Sequence, residues 1–211
     1  MALMSSTEPL SQPDQKTLLL TAARSIAHGL RNGAALPIVL SQFPPSLAAQ
    51  RATFVTLTIN TELRGCIGTL EAYRPLIEDV AANAHAAAFR DPRFYPLSQS
   101  EYPLLDIHIS VLSEPEPMKV ESEADLIAQI RPQIDGLILE DGARRGTFLP
   151  SVWESLPDPR EFLAHLKHKA GLPLATWPST LRVWRYTTFS FGALVTQLEQ
   201  SAPTPSQQAT R

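Results

Sequence analysis

The chain has 211 residues, 44% of them hydrophobic, with a single cysteine and a formal net charge of -3, enough for one large domain or two intimate subdomains around a sizeable core. That charge removes the electrostatic reason for generic binding to nucleic acid or anionic lipid, and no apolar run approaches the roughly 18 residues of a membrane span. One cysteine forms no internal disulfide, and no basic, apolar leader opens the sequence, so the expected compartment is the cytoplasm.

Residues 1–12 are polar and without periodicity, and are expected to be a disordered tail. From Pro13 to Leu30 the apolar positions Leu18, Leu19, Ala22, Ala23, Ile26 and Leu30 keep helical spacing. FVTLTI, Phe54 to Ile59, alternates and reads as a strand; Asn60, Thr61 and Glu62 turn the chain into a second extended piece, Leu63 to Leu70, completing a hairpin. Pro75 opens an Ala-rich helix, PLIEDVAANAHAAAFR, whose small side chains permit close packing. Leu105 to Leu112 alternates again as a third strand.

Ser122 with Asp125 marks the start of a short helix ending near Ile130. GLILEDGARRGTFLP reads as two strands joined at Asp141 and Gly142. Asp158 as N-cap, Pro159 at the first helical position, Glu161 two residues on and Gly171 past the end bound the helix DPREFLAHLKHKAG. LRVWRYTTF is a last alternating strand, and 196–211 reads as a second disordered tail. Helices interleave with strands that come as hairpins, so the expected fold class is α+β with antiparallel sheet. The folded unit is placed at 13–195.

The cysteine lies in LRGCIGTL. Period-two alternation puts Arg64, Cys66 and Gly68 on one face and Leu63, Gly65, Ile67 and Thr69 on the other. A cation beside a thiol favours the nucleophilic thiolate, and Gly65 and Gly68 would let a ligand approach the backbone. The plain alternative is a small buried hydrophobe on a core strand. A reactive thiol also wants a base; His85, in the Ala-rich helix, and His108, on the third strand with Asp106 and Ser110, are the candidates. His165 and His168 stand three apart on a helix without a third ligand, so no metal site is expected. In FRDPRF, Phe89 to Phe94, Arg93 either clamps an anion beside Cys66 or closes a local turn with Asp91. Arg144 and Arg145 make a basic turn tip whose default is solvation, and Trp153 and Trp177 read as packing residues. The chain holds fourteen Arg against four Lys; genomic base composition explains this as readily as bidentate anion recognition does.

LRGCIGTLEA, AAFRDPRFYPL, LDIHISVLSEPEP, DGLIL, RGTFLPSVWE and FLAHLKHKAGLP, in this order, resemble the AMMECR-one domain family, including "AmmeMemoRadiSam system protein A" members; the likeness runs from about Leu18 to Phe189. The resemblance implies an α+β fold of a larger subdomain assembled from both chain ends and a smaller inserted one, each with antiparallel sheet, and a cavity between them. It also implies genomic company with a Memo-like and a radical SAM protein. The family's usual acidic residue where His108 stands, and Gln where Ser151 stands, discount His108 as a family-wide base. Two readings follow. In the first, Arg64, Gly65, Gly68, Thr69 and Arg93 hold a small anionic ligand and Cys66 supplies thiol chemistry. In the second, the RGCIGT loop is a non-catalytic docking surface for a Memo-like or radical SAM partner.

Overall fold

The computed structural model describes residues 10–200. In chain order its elements are α1 (Gln12–Asn32), α2 (Pro45–Ala48), β1 (Thr53–Ile59), β2 (Glu62–Gly68), α3 (Leu76–Phe89), β3 (Asp106–Leu112), β4 (Glu116–Met118), α4 (Glu123–Gln129), β5 (Gly136–Asp141), β6 (Arg144–Phe148), α5 (Pro159–Lys169), β7 (Arg182–Tyr186), β8 (Thr188–Leu194) and α6 (Val195–Gln200). They form two units. Among the described residues one comprises 10–111 and 190–200; the other is Leu112–Phe189. Each holds a four-stranded antiparallel sheet, ordered β2-β1-β3-β8 in the terminal unit and β4-β7-β5-β6 in the inserted one. No described helix is long and apolar enough to cross a membrane.

In the terminal unit the expected alternation is visible as burial. Val55 and Leu57 of β1 and Ile107, Ile109 and Val111 of β3 are buried, and α3 lies over them with α1 on top. The alanines of α3 make that approach close. α1 is fixed at both ends: the Ser11 hydroxyl accepts the Asp14 N–H at 3.2 Å, and Gly33, at φ 70°, returns its N–H to the Gly29 carbonyl.

The inserted unit packs α4 and α5 on its sheet through Leu126, Leu137, Leu139, Phe162, Leu163 and Leu166. Trp153 stacks on Phe162 at 3.7 Å between centroids, and its indole N–H donates to the Asp135 carbonyl, so it is a packing residue with its one donor satisfied. Asp158 caps α5 through the N–H groups of Arg160 and Glu161. The buried Lys167 ammonium donates to Glu123 and to the carbonyls of Leu174 and Thr176, which ties α5 to α4 and to the loop beyond.

Two expectations change, and a short strand, β4, joins the elements expected. LRVWRYTTF is two strands in different sheets: β7 ends at Tyr186 and β8 continues to Leu194. Thr187 separates them, because its N–H and carbonyl pair with the Ser113 hydroxyl and N–H instead of a strand partner. The strand β4 contains Pro117, and it is tolerated because β4 is an edge strand. Residues 196–200, expected in the C-terminal tail, are helical in α6, where Leu198 is buried; at the other end Leu10 is buried too. The rest of both expected tails, 1–9 and 201–211, lies outside the described residues.

Candidate functional site

The β1–β2 hairpin turns through Asn60 and Thr61, both at positive φ, as a two-residue loop requires. Ile59 pairs with Glu62 and Thr58 with Leu63, but Leu57 then pairs with Gly65. Arg64 is thus the extra residue of a β-bulge. Without it, continued pairing would set Cys66 opposite the buried Val55; with it, Cys66 stands opposite Thr56 on the outward face, since a one-residue shift exchanges the faces. Gly65 consequently turns inward, and a Cβ there would collide with the Ala87 carbonyl of α3.

Cys66 is partly exposed. Its Sγ lies 3.1 Å from the Thr56 hydroxyl. Thr56 is in turn opposite His108 on β3, so the three form one row across the sheet. Strand spacing separates the outer members of such a row by about 10 Å at the backbone. The His108 imidazole points to its neighbour Asp106, with Nε2 3.1 Å from the carboxylate. His85 is buried in α3 against Phe89, and burial, then Arg90, hold its ring below the usual histidine range. Neither imidazole contacts the thiol among the described residues.

β2 is an edge strand, and its open side is closed by the segment after α3. The Asp91 carboxylate accepts the Cys66 N–H at 2.8 Å and is gripped by Arg93 through Nε at 2.9 Å and Nη2 at 2.7 Å. Arg93 also donates its own N–H to Asp91 and reaches the Cys66 carbonyl at 3.4 Å. The Arg93 hydrogen bonds, helped by the Cys66 N–H, hold the Asp91 carboxyl far below the usual carboxylate range against the opposing effect of burial. Arg93 is raised in return, chiefly by its hydrogen bonds to Asp91. Clamp and turn are therefore one object: the Asp91 fork occupies Nε and Nη2 and leaves Nη1 without a protein partner among the described residues.

Arg64 goes elsewhere. Its Nε donates to Glu101 at 2.7 Å and its Nη2 to Glu101 and the Tyr95 carbonyl, which brings Glu101 down to about 2, with the Ser98 N–H and hydroxyl assisting. Its Nη1 is buried, with no hydrogen-bond partner among the described residues. At the other end of β2, the Thr69 hydroxyl donates to Asp79. Asp79 is 1% exposed and also accepts from the Thr53 N–H and hydroxyl, Asn83 and Arg74. A Cβ on Gly68 would collide with the Phe54 ring and the Thr53 carbonyl. The openings expected beside Gly65 and Gly68 are thus filled by protein on the side where a Cβ would stand.

Of the six residues expected at the site, Cys66 and Arg93 come together, Arg64 is held by Glu101, Gly65 and Gly68 make close packing, and Thr69 belongs to the Asp79 cluster. Thr56, Asp79, Asn83 and Glu101 went unread. For Thr56 alone the sequence held a signal, the outward positions of FVTLTI, and using it required knowing the bulge.

A family model described as AMMECR1 matches residues 19–191. A protein of Methanothermobacter thermautotrophicus is 40% identical over 185 residues, covering 84% of this chain and 93% of that one. Protein MJ0810 of Methanocaldococcus jannaschii is 35% identical, covering 82% and 87%. The crystal structure of the uncharacterized protein PH0010 from Pyrococcus horikoshii superposes with a TM-score of 0.77 at 33% identity, covering 84% of this chain and 90% of that one.

Proposed function

The chain belongs to the AMMECR1 family, and we propose that it binds a small anionic ligand at the edge of β2, with the Cys66 thiol as the group the ligand meets. The observation that carries this reading is the constellation of a part-exposed Sγ, the Thr56 hydroxyl 3.1 Å from it, and an Arg93 side chain, 54% exposed, whose fork is set by Asp91 beside the Cys66 carbonyl. Thr56 supplies a hydroxyl that donates to a thiolate or accepts from a thiol. Arg93 supplies a cation already oriented, with Nη1 remaining for an acceptor. Asp91 neutralises part of that charge, which suits a weakly held, exchangeable anion.

The test uses the single cysteine. Iodoacetamide, which is uncharged, is added to the native protein at neutral pH with and without inorganic phosphate. Labelling in the folded state, slowed several-fold by phosphate in the parent and not in Arg93→Gln, is the expected result. Labelling only after unfolding, or protection that survives Arg93→Gln, overturns it.

One observation favours a docking role at the same edge: Tyr95, whose carbonyl takes Arg64, leaves its side chain 90% exposed, an aromatic displayed as interface anchors are. In that reading the partner is a Memo-like or radical SAM protein encoded nearby. Binding of the purified partner that is lost in Tyr95→Ser and kept in Cys66→Ser supports docking; the reverse pattern, or no binding, rejects it.

A further inference from the structure

α1 has two working flanks. Leu18, Leu19, Ala22 and Ile26 are buried in the interior where α1 meets α3. Leu20, Ala23, Arg24, Ala27 and Arg31 form a second stripe at helical spacing, and this stripe walls a cleft of about 390 Å³. Across from it stand Leu198 and Glu199 of α6, with Leu36 and Tyr102 closing the sides. The volume lies in the range of small-molecule sites, roughly 300–1,000 Å³. Everything lining it belongs to the terminal unit, and none of it belongs to the β2 edge.

The polar groups of the cleft have a definite pattern. Arg24 and Arg31 are seven residues apart, about 10.5 Å along the helix axis. Ala27 between them carries no side chain long enough to keep the two guanidinium groups from converging. Arg64, Arg74 and Arg93 in the same unit are each neutralised by a carboxylate; Arg24 and Arg31 have no ion pair or hydrogen bond among the described residues. The position of Arg31 in the last turn suits the helix dipole, but Arg24 is mid-helix and has no such reason. Tyr102 donates to the Ala23 carbonyl at 3.3 Å, and burial, then the Glu199 carboxylate, push its phenol up to about 12, so it stays a hydrogen-bond donor at any physiological pH.

Two guanidinium groups against one carboxylate leave a net single positive charge over an apolar floor. That balance fits a monoanion; Glu199 would oppose a dianionic phosphate. We propose that this cleft binds a small amphipathic carboxylate, its acid group held by Arg24 and Arg31 and its apolar body lying along Leu20, Ala27, Leu36 and Leu198. The site shares no residue with the thiol edge.

Octanoate, with octylamine as the charge-reversed control, tests this by calorimetric titration of the full chain. The parent is expected to bind octanoate one to one and not octylamine. Arg24→Gln with Arg31→Gln should weaken octanoate at least tenfold; both positions are exposed, so the fold is kept, as circular dichroism would verify. Arg160→Gln, at an exposed position of the inserted unit, should leave octanoate binding unchanged. No octanoate binding, equal binding of octylamine, persistence in the α1 double variant, or loss in Arg160→Gln would each overturn the proposal.

Discussion

Asp79 and Asp91 are both nearly inaccessible, at 1% and 4%, and both accept hydrogen bonds from the β1–β2 hairpin, yet their surroundings differ in kind. Asp79 takes the main-chain N–H and hydroxyl of Thr53, the Asn83 amide, the Thr69 hydroxyl and the Arg74 fork. Two of those partners, Thr53 and Asn83, are themselves buried. Asp91 takes two main-chain N–H groups, those of Cys66 and Arg93, and otherwise holds the fork of Arg93, whose side chain is half in solvent. A carboxylate surrounded by buried donors locks elements together; one with part-buried main-chain donors and one exposed cation positions a side chain. The lesson is that the two ends of β2 are built for different purposes, and the thiol sits at the end that is only clasped.

The sharpest way to break this comparison is to remove each carboxylate. Asp79→Ala leaves the Thr53 N–H and hydroxyl buried without their acceptor and takes one acceptor from the Asn83 amide, which keeps the Thr53 carbonyl; each orphaned group costs about 1–3 kcal/mol. A loss of about 3–5 kcal/mol is expected, close to what breaking a buried ion pair costs, read as a lowered midpoint in urea at unchanged slope. A loss under 1 kcal/mol would mean that Asp79 is no lock.

How the hairpin end was legible, and how the thiol end was not, follows from the same chemistry. Alternation in FVTLTI and the turn at Asn60 and Thr61 predict both strands, because side-chain period and turn conformation are local properties. The α5 boundaries were equally readable, since Asp158, Pro159 and Gly171 act on adjacent backbone. Whether Cys66 faces the core or the open side is decided by Arg64 being a bulge, and a bulge is fixed by what packs beneath it, here the Ala87 carbonyl against Gly65. Glu101 lies 37 residues from Arg64 in sequence, and no local pattern joins them. Within β2 the alternation put Arg64 and Cys66 on one face, missing that Arg64 is directed to Glu101 and that Arg93 comes in from the α3 exit.

Asp91→Ala should cost less than Asp79→Ala, about 1–2 kcal/mol, because the Arg93 side chain returns to solvent and only the part-buried Cys66 and Arg93 N–H groups lose their acceptor. Its effect on pH dependence is a second signature. The folded-state value of Asp91 is depressed, so its contribution is present above the ordinary value of 3.8 and is lost as pH falls below it. The parent should therefore lose stability relative to Asp91→Ala in urea titrations below pH 4, and parallel curves would show that the Asp91–Arg93 clasp contributes nothing to folding.

Glu101→Gln is the smallest of the three and the most informative about the bulge. The Arg64 guanidinium is mostly shielded and its partner part-exposed, so the pair contributes about 1 kcal/mol or less at neutral pH. The sign is again that of a depressed acid: Glu101 lies at about 2 in the folded protein against an ordinary 4.5. The contribution is complete above about 4.5 and disappears as pH falls toward 2. Glu101→Gln should thus be slightly less stable than the parent at pH 7, and the gap should close as pH falls toward 2. Arg64 also has a buried Nη1 with no hydrogen-bond partner among the described residues, so loosening its grip on Glu101 should be felt at Cys66 two residues on. If iodoacetamide labels Cys66 at the parent rate in Glu101→Gln, the thiol is positioned by Asp91, Arg93 and Thr56 without help from Arg64. If labelling changes while the neutral-pH stability barely does, the bulge is what presents the thiol, and Glu101 acts on the site through the Arg64 side chain alone.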